Sequence, residues 1–163
     1  MCRSPSAAVA LLFAALASLP ASAQAPTFQP LGFLQGGGTT SGATAISADG
    51  AVVVGRSTVL PQAFRWTAGG GMVGLGSLSG PNGSSWATAT VADGSLVVGT
   101  SPTTNGDRAF LWTASAGMQL LDPQVAGTPP NAAHGVSADG SVVVGDRGTF
   151  SQLSAVRWTA AGG

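Results

Sequence analysis

One motif occurs three times along the chain, and this repetition constrains the fold more than any other feature. Each copy has an Asp-Gly pair, an apolar run that ends in glycine and, further on, a Trp-Thr pair. The aspartates are 44 and 46 residues apart, and the tryptophans are 46 and 46 residues apart. The repeated positions are Asp49, Gly50, Trp66, Asp93, Gly94, Trp112, Asp139, Gly140 and Trp158. A period of this length indicates an array of supersecondary units.

Each copy contains four short stretches that predict β-strands. In the first copy they are 43–47, 51–55, 63–67 and 72–78. An Asp-Gly pair between the first two is typical of a hairpin turn, because glycine adopts positive φ at little cost and aspartate can bond its own backbone. The second stretch is apolar without alternation, which fits a strand buried on both faces. The third alternates, which places Phe64 and Trp66 on one face and Arg65 on the other.

Four short strands in each repeat of about 40–50 residues are typical of a β-propeller blade. The sequence therefore predicts an all-β fold, a propeller-like array of three four-stranded repeats. A β-sandwich built from internal duplicates is the alternative. The predicted repeats span 43–86, 87–132 and 133–163, after an N-terminal strand and glycine-rich loop at 24–42.

The number of repeats predicts an incomplete or open propeller, because closed propellers typically have about four to eight blades. The stretch 28–34 is similar to a fourth strand with no blade before it, whereas the third repeat stops where its own fourth strand should begin. Three arrangements remain open: a shortened or fragmentary relative of a longer array, an open stack of three blades, or a homo-oligomer. In the last, two chains form a six-bladed ring through terminal strand exchange.

The first 23 residues predict a signal peptide. Arg3 supplies a short positive region, 7–19 is apolar, and 21–23 is a small-residue cleavage pattern. The apolar run is shorter than the roughly 20 residues that span a bilayer. We therefore expect a secreted, extracellular or periplasmic protein with no transmembrane segment in the mature chain. Cys2 lies in the predicted leader, so disulfides, a thiol nucleophile and a thiolate metal site are excluded from the mature chain.

The charges of the mature chain exclude a nucleic-acid partner. After the predicted leader the chain has five arginines, six aspartates and no lysine or glutamate, and no charge run occurs anywhere. Nucleic-acid binding requires a basic patch. The remaining partner class is an unknown extracellular ligand or protein.

The repeat resembles a known extracellular repeat, the HAF repeat, which is named for a His-Ala-Phe run before the tryptophan. The similarity rests on Ser-Ala-Asp-Gly, the apolar run ending in glycine, and Ala-Phe-x-Trp-Thr, in three copies in register. The histidine of the name is absent from all three copies, and Val156 replaces the phenylalanine in the third. The resemblance implies a secreted or surface-exposed bacterial protein, and it implies no activity for any residue.

Two polar sets invite a chemical interpretation. His134, the only histidine, could form a Ser-His-Asp set with Ser137 and Asp139. Thr44 and Thr88 occupy the same position in the other copies, which favours a half-exposed strand residue instead. The three hairpin aspartates could bind Ca²⁺, but each hairpin supplies only one carboxylate, which favours a role in the turns. We predict no metal site and no cofactor.

The aromatic residues and the loops suggest where a ligand would bind. The three repeated tryptophans could form a stacking ring, but their strand position favours core packing between blades. Trp86 falls outside the repeat register, beside a Gly/Ser loop, and is the tryptophan with a predicted surface role. The loops between the second and third strands vary most among the copies. Variable loops on a repeated scaffold are where binding usually resides.

The sequence predicts a non-enzymatic, secreted or cell-surface β-repeat protein that acts as a binding or scaffold module. One alternative is a fragment of an autotransporter passenger. Another is an enzyme of lyase or glycosidase type on a propeller scaffold, and a glycosidase would need a pair of carboxylates. Only Asp107, Asp122 and Asp146 lie outside the repeated hairpins as candidates for that pair.

Overall fold

The computed structural model describes residues 27–36, 39–58, 61–122, 129–149 and 151–159. Within these ranges the chain forms eleven β-strands and no helix. The strands are β1 (Ser41–Ile46), β2 (Val52–Ser57), β3 (Ala63–Thr67), β4 (Gly71–Gly74), β5 (Trp86–Thr90), β6 (Leu96–Thr103), β7 (Gly106–Thr113), β8 (Gly117–Leu120), β9 (Asn131–Val136), β10 (Val142–Thr149) and β11 (Gln152–Thr159). The predicted all-β class is confirmed.

The strands form three antiparallel sheets, and each sheet contains one repeat. Sheet 1 has the order β1-β2-β3-β4, sheet 2 has the order β5-β6-β7-β8, and sheet 3 has the order β9-β10-β11. Sheets 1 and 2 have the four strands that the repeat predicts, whereas the described part of sheet 3 has three. The fourth strand is shorter than predicted and ends at Gly74. The amide of Leu75 still donates to the carbonyl of Ala63 (2.9 Å), in register with the β3–β4 ladder, so hydrogen bonding extends one residue beyond the strand.

The first two strands of every sheet are joined by the Asp-Gly turn. Its glycine has positive φ in all three copies: 74° at Gly50, 68° at Gly94 and 75° at Gly140. The glycine amide donates to the carbonyl three residues earlier, as from Gly50 to Ser47 (2.9 Å). An L-residue with a side chain is strained at this φ, so the turn explains the glycine in the repeat.

Most of the buried apolar residues in the described part of the chain form two clusters, one in each space between consecutive sheets. Between sheets 1 and 2 the buried residues are Val52, Val54, Ala63, Leu75, Ala87, Val97 and Phe110. Between sheets 2 and 3 they are Val98, Ala109, Ala133, Val143 and Trp158. The middle strand β6 therefore contributes Val97 to one cluster and Val98 to the other. This explains why its sequence is apolar without alternation, because both faces of sheet 2 are covered. The three sheets stack like successive propeller blades.

The predicted N-terminal strand is not present among the described residues. Residues 27–36 lie against sheet 1, where the Ser41 hydroxyl donates to the carbonyl of Gly32 (2.8 Å), but they pair with no strand. A β-strand requires a neighbour to accept its hydrogen bonds, and the described part of the chain offers none at this position. Phe28 is consequently 96% exposed.

The predicted signal peptide, 1–23, lies outside the described residues. Among the residues that are described, no helix is long and apolar enough to cross a membrane.

Candidate functional site

The first strands of the three sheets lie side by side because the same two contacts link each sheet to the next. Thr44 Oγ1 donates to the carbonyl of Ala87 (2.7 Å), and Thr88 Oγ1 donates to the carbonyl of Ala133 (2.8 Å). Backbone hydrogen bonds also join the hairpin turns. The Ala48 amide donates to the carbonyl of Ala92 (2.9 Å), and the Ala92 amide donates to the carbonyl of Ala138 (3.1 Å). These contacts hold the starts of β1, β5 and β9 around a common opening.

An open cleft of about 680 Å³ lies at this opening and is lined by all three sheets. Five threonines and one serine contribute hydroxyls to the lining, which also includes one arginine, one tryptophan, one aspartate and one histidine. The larger polar and aromatic side chains of the lining are Thr44, Arg56, Thr58, Trp86, Thr88, Asp107 and His134. A concave site with an aromatic group and a few polar groups is typical of small-ligand binding.

Trp86 is the aromatic group of this cleft. It is the first residue of β5 and pairs with Thr100, as Gly42 pairs with Arg56 in sheet 1. Trp86 therefore lies within the repeat register, contrary to our prediction from the sequence. The strand begins at Trp86, one residue before the predicted start of the second repeat at 87. The guanidinium carbon of Arg56 lies 5.8 Å from the centre of the Trp86 ring, a cation–π contact between sheets.

His134 does not form the Ser-His-Asp set considered from the sequence. Its Nε2 is 2.6 Å from Oδ2 of Asp146, a residue of the neighbouring strand β10. Ser137 Oγ instead donates to Oδ1 of Asp139 (2.5 Å), within the hairpin turn. The imidazole is therefore oriented by a carboxylate, but the serine that would serve as nucleophile is bonded elsewhere.

The three hairpin aspartates each cap their own turn. Asp139 Oδ1 accepts hydrogen bonds from Ser137 Oγ, the Ser141 amide (3.1 Å) and Ser141 Oγ (2.9 Å). The corresponding bonds reach Asp49 from Ser47 and the Ala51 amide, and Asp93 from Ser95. No group of three or more potential metal-ligating side chains occurs among the described residues.

These hydrogen bonds favour the ionised carboxylates. The bond from Ser137, followed by those from Ser141, lowers the pKa of Asp139 from its ordinary value of 3.8 to about 2. The bond from Ser47 lowers the pKa of Asp49, and the bond from Ser95 lowers the pKa of Asp93. A carboxylate whose pKa is lower in the folded protein than in the unfolded chain stabilises the fold at pH values above its unfolded-state pKa. That contribution is lost as the pH falls through the folded pKa.

We therefore expect the protein to lose stability as the pH falls from about 4 to about 2. An NMR titration of the side-chain carboxyl carbons should place the pKa of Asp139 near 2 in the folded protein. In Ser137→Ala the largest cause of the shift is removed, so the Asp139 pKa should rise toward 3.8. An Asp139 that already titrates at 3.8 in the wild type would contradict the hydrogen-bonded turn.

The three repeated tryptophans do not meet at one site. Trp112 packs against the cluster between sheets 1 and 2, and Trp158 is buried between sheets 2 and 3. Arg65 donates from its Nε to Gly94 O of sheet 2 (3.0 Å), so Trp66, the next residue along β3, faces away from sheet 2. Successive tryptophans thus lie on the same face of successive sheets and not around a ring.

The three candidate carboxylates for glycosidase chemistry are distributed over two environments. Asp107 and Asp146 both line a second cavity of about 470 Å³ between sheets 2 and 3. Asp122 contacts residues of β9 and β10. Its Oδ2 accepts a hydrogen bond from Asn131 Nδ2 (3.3 Å) and lies 3.7 Å from Nη2 of Arg147. Two of the three therefore share a cavity, and the third fixes the start of β9.

The variable loops contribute to the main cleft through their ends. Arg56 and Thr58 lead out of β2, Thr100 lies on β6, and Asp107 lies at the start of β7. Residues at the ends of the predicted variable loops therefore line the cleft, and whether a ligand binds there stays a prediction. The sequence does not reveal the contact of Arg56 with Trp86, because the two residues are 30 positions apart and lie in different sheets.

The arrangement of sheets is similar to that of solved β-propeller structures. A protein assigned as TolB from Agrobacterium tumefaciens matches with a TM-score of 0.57 at 13% identity, over 77% of this chain and 48% of that chain. TolB from Acinetobacter baumannii matches with a TM-score of 0.53 at 13% identity, over 76% of this chain and 31% of that chain. The chain thus spans less than half of either protein. No family model and no curated protein matches the sequence. At such identity the likeness shows the fold alone, and it confirms the propeller-like array.

Proposed function

We propose that this protein is a non-catalytic binding module that acts outside the cytoplasm and holds a polar ligand in the cleft around Trp86. One observation supports this most directly. All three sheets contribute to the cleft, and Trp86 contacts Arg56 there. At the equivalent positions the other repeats have different residues. A binding residue is expected where a repeat departs from its own pattern, because the fold itself does not require that residue.

The chemistry of the cleft favours an oligosaccharide as the ligand class. The tryptophan ring offers a flat apolar surface against which a sugar ring can pack. Threonine hydroxyls, the Arg56 guanidinium and the Asp107 carboxylate surround it as hydrogen-bond donors and acceptors. A sugar presents the same combination of an apolar face and a rim of hydroxyls.

A location outside the cytoplasm is part of this proposal. It is supported by the signal-like sequence at 1–23 and by the similarity of the repeat to HAF-type extracellular repeats. A passenger fragment of a longer surface protein would carry the same binding module. The absence of a catalytic role is supported by Ser137 and Asp139, which are bonded to each other in a turn away from His134.

The proposal predicts that Trp86→Ala weakens oligosaccharide binding. Titration of the protein with cellohexaose, chitohexaose and maltohexaose should change the tryptophan fluorescence for at least one of them. Loss of the ring should reduce that affinity about tenfold, since an aromatic contact contributes about 1.4 kcal/mol. Alanine already occupies the equivalent position at Ala132, so the strand tolerates this substitution.

Trp86→Phe is the matched control and should retain most of the affinity, because an aromatic face remains. The sugars should also be recovered intact after prolonged incubation. Binding that is unchanged in Trp86→Ala, or no binding of any of the three sugars, would contradict the proposed site. Hydrolysis of a bound sugar would show instead that the module is an enzyme.

A further inference from the structure

Arg56 differs from the other arginines that are at least partly buried in the described part of the chain. Arg65 and Arg108 donate to backbone carbonyls (3.0 and 3.1 Å), and Arg147 lies 3.7 Å from a carboxylate oxygen. Arg56 is half-buried, yet among the described residues it has neither a hydrogen-bond acceptor nor an ion-pair partner. Its guanidinium instead lies against the ring of Trp86. The N–H groups of this guanidinium are therefore available to a ligand in the cleft.

The equivalent positions in the other sheets show that the fold does not require an arginine here. Arg56 pairs with Gly42 in sheet 1, and the residues at the same register position are Thr100 in sheet 2 and Asp146 in sheet 3. An arginine, a threonine and an aspartate have no packing role in common. A residue that differs in this way on a repeated scaffold is expected where the scaffold binds something.

The charged groups of the cleft lie on different sheets. Sheet 1 contributes Arg56, whereas sheet 2 contributes Asp107, an exposed residue at the start of β7. On sheet 3, Nε2 of His134 lies 2.6 Å from Oδ2 of Asp146. Among the described residues no carboxylate lies within ion-pair distance of Arg56. The positive charge on the sheet 1 side of the cleft is therefore not neutralised by a neighbouring acid, and this side favours a negatively charged group.

We propose that Arg56 determines specificity for an acidic oligosaccharide, in which a carboxylate or sulfate group is carried by the sugar that packs on Trp86. This inference rests on the proposed function, since it names the charge of the ligand in the same cleft. The guanidinium carbon is 5.8 Å from the centre of the Trp86 ring, so a sugar on this ring lies beside the guanidinium. A guanidinium can donate two parallel hydrogen bonds to two oxygens of one anionic group.

Fluorescence titrations with matched neutral and acidic sugars test this assignment. Cellohexaose, chitohexaose and maltohexaose are compared with the same sugars after oxidation of their primary alcohols to carboxylates, and after sulfation of these alcohols. At least one acidic form should bind about tenfold more tightly than its neutral parent, the usual effect of a charge-assisted hydrogen bond. This preference should shrink in about 1 M sodium chloride, because salt screens exposed charges. The acidic form that binds more tightly identifies the group as carboxylate or sulfate.

Arg56→Gln should lower the affinity for the acidic form about tenfold more than the affinity for its neutral parent. The uncharged Thr100 at the equivalent position indicates that the strand tolerates this substitution. The matched control is Arg157→Gln, which removes the same charge from an exposed arginine of β11 that does not line the cleft. This variant should keep the full preference for the acidic form.

Equal affinities for the acidic and neutral forms would overturn the inference and leave the proposed binding site intact. The same holds if Arg56→Gln weakened both forms equally. A preference lost to the same extent in Arg157→Gln would show that the overall charge of the protein, and not the position of Arg56, determines the selectivity. If neither the neutral nor the acidic sugars bound, the proposed function itself would fail.

Discussion

Gly99→Ala should destabilise the protein by about 3 kcal/mol or more, at the upper end of the usual cost of overpacking a core. A Cβ at this position would overlap the carbonyl oxygen of Trp86 on the neighbouring strand, and it would lie 2.8 Å from Cζ of Phe110. The carbonyl belongs to the backbone of a paired strand and cannot rotate away. Urea unfolding followed by circular dichroism would measure the loss as a lower midpoint at unchanged slope.

The contact is a repeated feature of the fold. A Cβ at Gly55 would overlap the carbonyl oxygen of Gly42, and one at Gly145 would overlap that of Ala132. These three glycines end the three apolar runs, so the motif needs glycine for close approach of two strands and not for an unusual φ.

Gly69→Ala is the matched control for this prediction. No heavy atom lies within 4 Å of a Cβ built on Gly69, and its φ is not in the left-handed region. The same substitution should therefore change the unfolding midpoint little. Equal destabilisation by both variants would show that the close approach at Gly99 is not what the motif requires.

Phe110→Ala should destabilise the protein by about 3–5 kcal/mol, the usual range for removal of a buried aromatic side chain. Phe110 is fully buried in the cluster between sheets 1 and 2, where Val52, Val54 and Val97 also lie. The loss includes both the transfer energy of the ring and the cavity that remains. Thermal and urea unfolding should both report it.

Phe110→Leu provides the comparison, because leucine keeps most of the apolar volume. We expect about 1.5 kcal/mol or less for this variant, the usual limit for hydrophobic exchanges of similar volume. If alanine and leucine at this position gave the same small effect, the two sheets would not be held together by this cluster.

The second prediction concerns the space between sheets 1 and 2, and this space also determines the candidate cleft. The cleft around Trp86 exists because the sheets are held at a fixed distance by the core clusters and by the Thr44 and Thr88 contacts. A variant that loosens the first cluster should therefore also move Arg56 away from Trp86, since these residues belong to the two sheets that the cluster joins.

The sequence by itself determined the repeat, the all-β fold class and the hairpin turns. These features depend on local interactions: positive φ at Gly50, alternation along β3, and an apolar run that requires cover on both faces. Local rules act over a few residues, so they can be applied without knowledge of the tertiary structure. Even there the ends of the strands were misplaced, as at Gly74, because they depend on pairing with the neighbouring strand, which local rules do not specify.

Only the tertiary structure decided which residues meet across the sheets. The contact of Arg56 with Trp86, the bond between His134 and Asp146, and the exposure of Val144 each join or separate residues through the order and spacing of the sheets. Three copies of one motif have nearly the same local sequence, yet the valine at one position is buried in two copies and exposed in the third. Among the described residues a sheet covers Val54 and Val98 but none covers Val144, and the motif itself does not encode this difference.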